Sequence, residues 1–238
     1  MKKLTKLLVL IIISLSVIIV YKKENNNETA YLVLGDSFSM GINPYGGIGY
    51  GYEDYFKDYL DTKGKVNLID FYTSKNKNIK SIQNDILEND TYILEGNSLN
   101  IKKLLQDADV ITMSVGLNDI IYEYNIINND NISEYEENKI VDYVYNNLLD
   151  LLNDIRIYTK RKIYVIGYPE NNSKYNSLIK KLNNKYKNIP IENIVFIDTK
   201  KILSNEDLIL KDSLFPNSNG YKKISELIIR DYDFTQYK

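Results

Sequence analysis

Leu32-Val33-Leu34-Gly35-Asp36-Ser37-Phe38-Ser39-Met40-Gly41 reads as a short apolar strand that runs straight into a turn with a serine at its tip. A serine where a buried strand ends is well seated for a nucleophile: the sheet fixes its position and the loop leaves it exposed. Gly, Asp and Ser are also common turn residues, so a plain strand-to-loop turn is the other reading of this stretch taken alone. What decides between them is whether the rest of the chain supplies what such a serine needs.

Much of the usual chemistry is excluded by composition. There is no Cys, hence no disulfide, no thiolate metal site, no cysteine nucleophile and no lipid-modified Cys anchor. There is no His either, so no imidazole can act as general base or metal ligand. No cofactor is expected, and no carboxylate cluster is spaced for a metal. A net charge of −2 gives no polybasic surface, which argues against a nucleic-acid partner. The 238 residues suffice for one α/β domain with an N-terminal appendage.

That appendage begins with Lys2, Lys3 and Lys6, continues as an apolar run from Leu7 to Val20, and closes with Lys22 and Lys23. This is the form of a secretion signal. Leu4 to Tyr21 comes close to the lower limit for spanning a bilayer, and no pair of small residues after Val20 marks a cleavage site. Residues 1–23 therefore read as a signal-anchor or signal peptide. As an uncleaved anchor they make the protein single-pass in the cell membrane; cleaved, they make it secreted. More positive charge precedes the run than follows it, which puts the body outside the cell. Residues 24–30 are polar and Asn-rich and read as a linker, with the body at 31–238.

Within the body, Gly41 to Tyr52 holds five glycines and a proline and reads as a loop whose tyrosines pack it down or, alternatively, line a substrate groove. Helical spacing follows over Tyr52–Leu60, then a strand at Val66–Phe71. Ile79, Ile82 and Ile86 again recur at helical spacing, as do Ile101, Leu104 and Leu105. Val110–Val115 is a third strand, entering Gly116-Leu117-Asn118-Asp119. A polar insertion at Asn125–Asn138 precedes a long amphipathic helix marked by Ile140, Val144, Leu148, Leu151, Leu152 and Ile155. Strands at Lys162–Gly167 and Ile194–Asp198 flank a helix at Leu178–Tyr186, and Lys222–Arg230 closes the chain. Strands alternating with helices predict an α/β fold with a mostly parallel five-stranded sheet and helices on both faces. In such sheets the reactive groups gather beyond the carboxyl ends of the strands, where Ser37, Asn118 and Asp212 all fall.

These blocks resemble the SGNH hydrolases, also called GDSL esterases and lipases, over about Tyr31 to Arg230. Gly35-Asp36-Ser37 matches the first block, with Ser37 at the nucleophile position. Gly116-Leu117-Asn118-Asp119 matches the third, with Asn118 completing an oxyanion hole to which Ser37 also contributes. Asp212-Ser213-Leu214-Phe215-Pro216-Asn217 matches the last, with Asp212 at the triad-acid position. The resemblance implies a flavodoxin-like three-layer α/β/α sandwich and hydrolysis of esters, often acyl or acetyl groups on lipids or carbohydrates. A small-molecule ester or an acylated glycan or lipid is the implied substrate.

Two departures stand out. The glycine of the second block is missing, and Ser74-Lys75-Asn76 occupies that region; a backbone N–H is all that position needs. More seriously, Phe215 stands where the resemblance puts the catalytic histidine. A serine hydroxyl is a weak nucleophile unless something takes its proton. Phenylalanine has a flat ring but carries no proton, and Asp212, with an ordinary carboxylate pKa of about 3.9, is a weak base at neutral pH. The sequence thus predicts a hydrolase framework whose turnover is very slow or absent. The competing expectation is a pseudoenzyme that holds an acylated glycan, lipid or protein partner in the former cleft.

Overall fold

The computed structural model describes residues 28–43, 45–94, 97–127, 132–171, 174–210 and 213–236. The apolar run and its lysine flanks, the linker up to residue 27, and Asp212 lie outside the described residues. Among the described residues no helix is long and apolar enough to cross a membrane.

Five strands form one sheet in the order β2-β1-β5-β6-β7, every neighbouring pair parallel. They are β1 (Glu28–Gly35), β2 (Lys65–Thr73), β5 (Val110–Ser114), β6 (Ile163–Ile166) and β7 (Ile194–Ile197). All of β1 from Tyr31 onward is buried, as are β5 and β6 throughout. Unbroken burial of this kind is what a sheet covered on both faces requires, and the two polar residues of β5, Thr112 and Ser114, are buried with hydrogen-bond partners in Tyr31 Oη and Ser39 Oγ.

Seven α-helices are described: α1 (Tyr52–Asp61), α2 (Ile79–Glu88), α3 (Ile101–Asp107), α4 (Leu117–Ile127), α5 (Glu134–Tyr158), α6 (Asn176–Tyr186) and α7 (Ser218–Gln236). They segregate into two groups: α1 packs on α7, while α5 gathers α2, α3, α4 and α6. The sheet lies between the groups, which makes the three layers. In α5 the apolar positions predicted from spacing are all buried, and Ser133 and Glu136 cap its start reciprocally. The α/β class, the parallel sheet and the helices on both faces are as the sequence predicts.

Three details differ. Glu28, Thr29 and Ala30, read as linker, pair with Lys65, Val66 and Asn67 in β1. The polar insertion is shorter than 125–138, because α4 reaches Ile127 and α5 starts at Glu134. An antiparallel hairpin, β3 (Thr91–Leu94) with β4 (Asn97–Asn100), was not foreseen, since its four-residue strands hold too few alternating apolar residues to register.

Between β1 and β5 the chain reverses its direction of travel across the sheet. This is the switch point at which open α/β sheets leave a crevice beyond their carboxyl ends. Ser37 follows β1 and Asn118 follows β5, so the two flank that point.

Candidate active site

The Ser37 turn is built by Asp36. Its backbone N–H donates to Ser114 O of β5 at 2.9 Å, and its Oδ1 accepts from Phe38 N–H at 2.9 Å. Ser39 N–H donates to Asp36 O and Met40 N–H to Ser37 O, at 3.2 and 3.3 Å. Asp36 thus shapes its own turn, as an Asx residue does. Gly35 is required by proximity: a Cβ there runs into Ser39 Oγ and lies 2.9 Å from Ser114 O. Phe38 is fully buried and holds the turn down, packing on Tyr168 (ring centroids 5.2 Å apart) and Tyr221 (5.8 Å). Ser37 is consequently only 8% exposed. The expectation of a serine on an open loop tip is corrected here: the anchored Phe38 draws Ser37 down with it.

Asn118 lies in the first turn of α4, and both N–H groups of its side-chain amide are engaged. Nδ2 donates to Lys77 O at 2.6 Å and to Lys75 O at 3.0 Å. Flipping the amide would set Oδ1 against two carbonyl oxygens, so the orientation is fixed. Asp119 works beside it, accepting from Ile79 N–H at 3.2 Å, one of the first donors of α2. Together the two side chains clamp the loop between β2 and α2 onto the start of α4. This loop carries Ser74-Lys75-Asn76. Ser74 N–H donates to Gly35 O at 3.3 Å and Asn76 N–H to Ser74 Oγ at 3.3 Å, so two of these three backbone donors are engaged.

Beneath the turn a buried chain of hydrogen bonds ties the site together. Leu117 N–H donates to Tyr168 Oη (3.2 Å), and Tyr168 Oη donates to Asp36 Oδ2 (2.9 Å). Ser39 Oγ and Ser114 Oγ lie 2.5 Å apart, and Tyr52 Oη donates to Ser39 Oγ at 3.4 Å. Tyr168 is the residue sequence reasoning missed. Its signal was available, because it follows β6 at the same sheet edge as the other blocks. Burial pushes the Asp36 carboxyl up to about 7, against the pull of Phe38 N–H and Tyr168 Oη, with the Asp119 charge adding to the rise. Asp119 is likewise raised by burial, to about 6.

Phe215 is half-buried against the core, its ring 6.5 Å from that of Phe38. The Phe215 N–H donates to Ser213 Oγ (3.0 Å) and its carbonyl accepts from Ile209 N–H (3.0 Å), so the segment is well fixed. Burial raises the Tyr221 phenol above its ordinary value, so it holds its proton at neutral pH and is no substitute base. In the glycine-rich loop only Tyr52 packs inward; Tyr45 is 96% and Tyr50 46% exposed, contrary to a loop packed down by its tyrosines. Among the described residues no three His, Cys, Asp or Glu side chains are grouped as a metal would need.

Gly116 joins β5 to α4 at φ +114°, where L-residues are strained, and a Cβ there collides with Tyr186 Oη. That hydroxyl donates to Val115 O at 2.8 Å in a buried setting. Gly116→Ala is therefore expected to lose about 2–4 kcal/mol of stability, from backbone strain of ~1–3 kcal/mol and a disturbed buried hydrogen bond. Urea denaturation of the two proteins checks this.

A parallel sheet of this order, with a serine turn after β1 and a Gly-x-Asn-Asp helix start after β5, is a hydrolase framework. The family model of GDSL-like lipases and acylhydrolases matches residues 31–228, and the chain belongs to that family. Solved structures with the same fold include the lipase Lip_vut3 from a goat rumen metagenome (TM-score 0.67, 21% identity, covering 85% of this chain and 96% of that one). A lipase/acylhydrolase from Enterococcus faecalis aligns with TM-score 0.60 and 17% identity over 85% and 94% of the two chains. A family 3 carbohydrate esterase from Clostridium thermocellum aligns with TM-score 0.58 and 16% identity over 88% and 98%. No curated protein matches the sequence.

Proposed function

We propose that this chain is a GDSL-type ester hydrolase framework held at the outer face of the cell membrane by its N-terminal run, with Ser37 as nucleophile position, Asn118 and Ser37 as the oxyanion side, and Asp212 as the acid. Its own turnover is very slow or absent. The observation that carries this reading is Phe215 in the histidine position of a chain without any histidine. In serine hydrolases, loss of the base costs about 10⁶ in kcat, while an oxyanion hole and substrate binding alone retain about 10³–10⁴ over water.

One observation favours the second reading, a non-catalytic binder of acylated glycan, lipid or protein. Both N–H groups of the Asn118 amide are committed to Lys75 O and Lys77 O, so its donor is spent on loop structure in place of a developing oxyanion. The ligand class stays the same in both readings: a molecule bearing an ester or acyl group.

The test is hydrolysis of p-nitrophenyl acetate by the purified body, beside Ser37→Ala. The expected result is a rate within about tenfold of the Ser37→Ala protein. Ordinary esterase turnover that disappears in Ser37→Ala would overturn the reading.

A further inference from the structure

Resting on the membrane anchor just proposed, we infer that the edge bearing Ser37 and Asn118 points away from the bilayer that holds the chain. The ester groups it meets are then ones carried outside that bilayer, on glycan or in solution, and not those of its own lipids.

The argument is one of direction and reach. All five strands are parallel, so the sheet has one amino edge and one carboxyl edge. β1 enters at Glu28 on the first, and Ser37 and Asn118 lie on the second. The eight residues of β1 separate the two edges by about 23–26 Å, at ~3.3 Å of rise each. For the Ser37 edge to meet the headgroups, Glu28 must stand at least that far above them. The connection must also pass around one helix layer, roughly 10 Å across, because helices cover both faces. That path is about 35 Å. From Tyr21, the last residue of the Leu4–Tyr21 stretch that comes close to spanning length, to Glu28 there are 28 − 21 = 7 residue steps. Seven steps reach at most ~25 Å in any conformation. The chain is too short to turn the body over.

The edge that faces away also carries exposed apolar groups, Tyr45 at 96% and Ile48 at 64%, in the loop that follows the serine turn. They are the groups that would enter a bilayer if the body were inverted, so they make a sensitive reporter. The chain has no cysteine, so one introduced thiol takes one label.

Full-length Tyr45→Cys and Lys160→Cys are to be labelled with a polarity-sensitive fluorophore and reconstituted into phosphatidylcholine/phosphatidylglycerol vesicles carrying headgroup nitroxide. Lys160 is exposed in the loop before β6, at the amino edge. Quenching is expected to be several-fold stronger at position 160 than at 45. Equal or stronger quenching at 45, in protein that floats with the vesicles, overturns the inference and leaves the anchor standing. Protein that fails to float with the vesicles overturns both.

Discussion

Phe215→His is expected to raise hydrolysis of p-nitrophenyl acetate by about 10²–10³-fold over the natural chain, and adding Ser37→Ala is expected to erase the gain. The physical case rests on what is already in place. The turn that carries Ser37 is fixed to β5 through Asp36 N–H and Ser114 O, and Phe215 sits on a segment held by its own backbone bonds. An imidazole there would supply a group whose ordinary pKa of about 6.5 suits proton transfer at neutral pH. The gain falls short of the ~10⁶ that a base is worth in a complete triad for two reasons. Asn118 spends its amide on Lys75 O and Lys77 O, and Ser37 is 8% exposed, so an ester must reach into the fold for it. Phe215→Asn, which fills similar space without a base, is expected to give no gain. Replacing the ring also weakens its packing on Phe38, at a cost to stability of about 0.5–1.5 kcal/mol.

The second large effect concerns pH. The Asp36 carboxyl is raised to about 7 in the folded chain, chiefly by burial, from an ordinary value of about 3.9 when unfolded. Between those values the folded state holds a proton that the unfolded state has released. Stability therefore falls as pH rises from about 4 to 7, by at most ~4 kcal/mol for about three units at 1.36 kcal/mol each, and is flat above. Asp119, raised to about 6 by burial, adds loss in the same direction over a narrower window. Asp207 behaves oppositely. Burial opposes its charge, but Lys223 and the Ser204 N–H and hydroxyl outweigh that and hold it at about 2. Its contribution is present above about pH 4 and is lost as pH falls through 2. Asp36 and Asp119 thus favour the folded state toward acid, and Asp207 opposes them only below about pH 4. Urea midpoints at pH 5 and pH 8 measure the slope, and Asp36→Asn is expected to remove most of it while keeping the turn-forming oxygen.

The framework was readable in the sequence for a simple reason. A strand buried on both faces, such as β1 from Tyr31 to Leu34, reads as a continuous apolar run, and a 25-residue helix such as α5 repeats its spacing often enough to be unmistakable. Short elements do not have that redundancy, which is why the β3–β4 hairpin went unseen and the ends of α4 and α5 were blurred. At the site, order along the chain located Ser37 and Asn118, because parallel topology sends every strand end to one edge. What order could not convey was orientation. Nothing in Gly116-Leu117-Asn118-Asp119 tells that the Asn118 amide turns toward Lys75 and Lys77, since those partners lie some 40 residues away in sequence. Likewise, the order of elements puts Tyr168 at the same sheet edge, but only the fold sets its hydroxyl between Leu117 N–H and Asp36.

Fluorophosphonate labelling reads the state of the serine itself, since phosphonylation of Oγ needs a hydroxyl with somewhere to send its proton. Intact mass after incubation of the natural chain and of Phe215→His, each beside its Ser37→Ala partner, is the most direct assay. No adduct on the natural chain and a Ser37 adduct on Phe215→His is the predicted outcome. Rapid, Ser37-dependent labelling of the natural chain would contradict it, because the hydroxyl would then be activated without any imidazole.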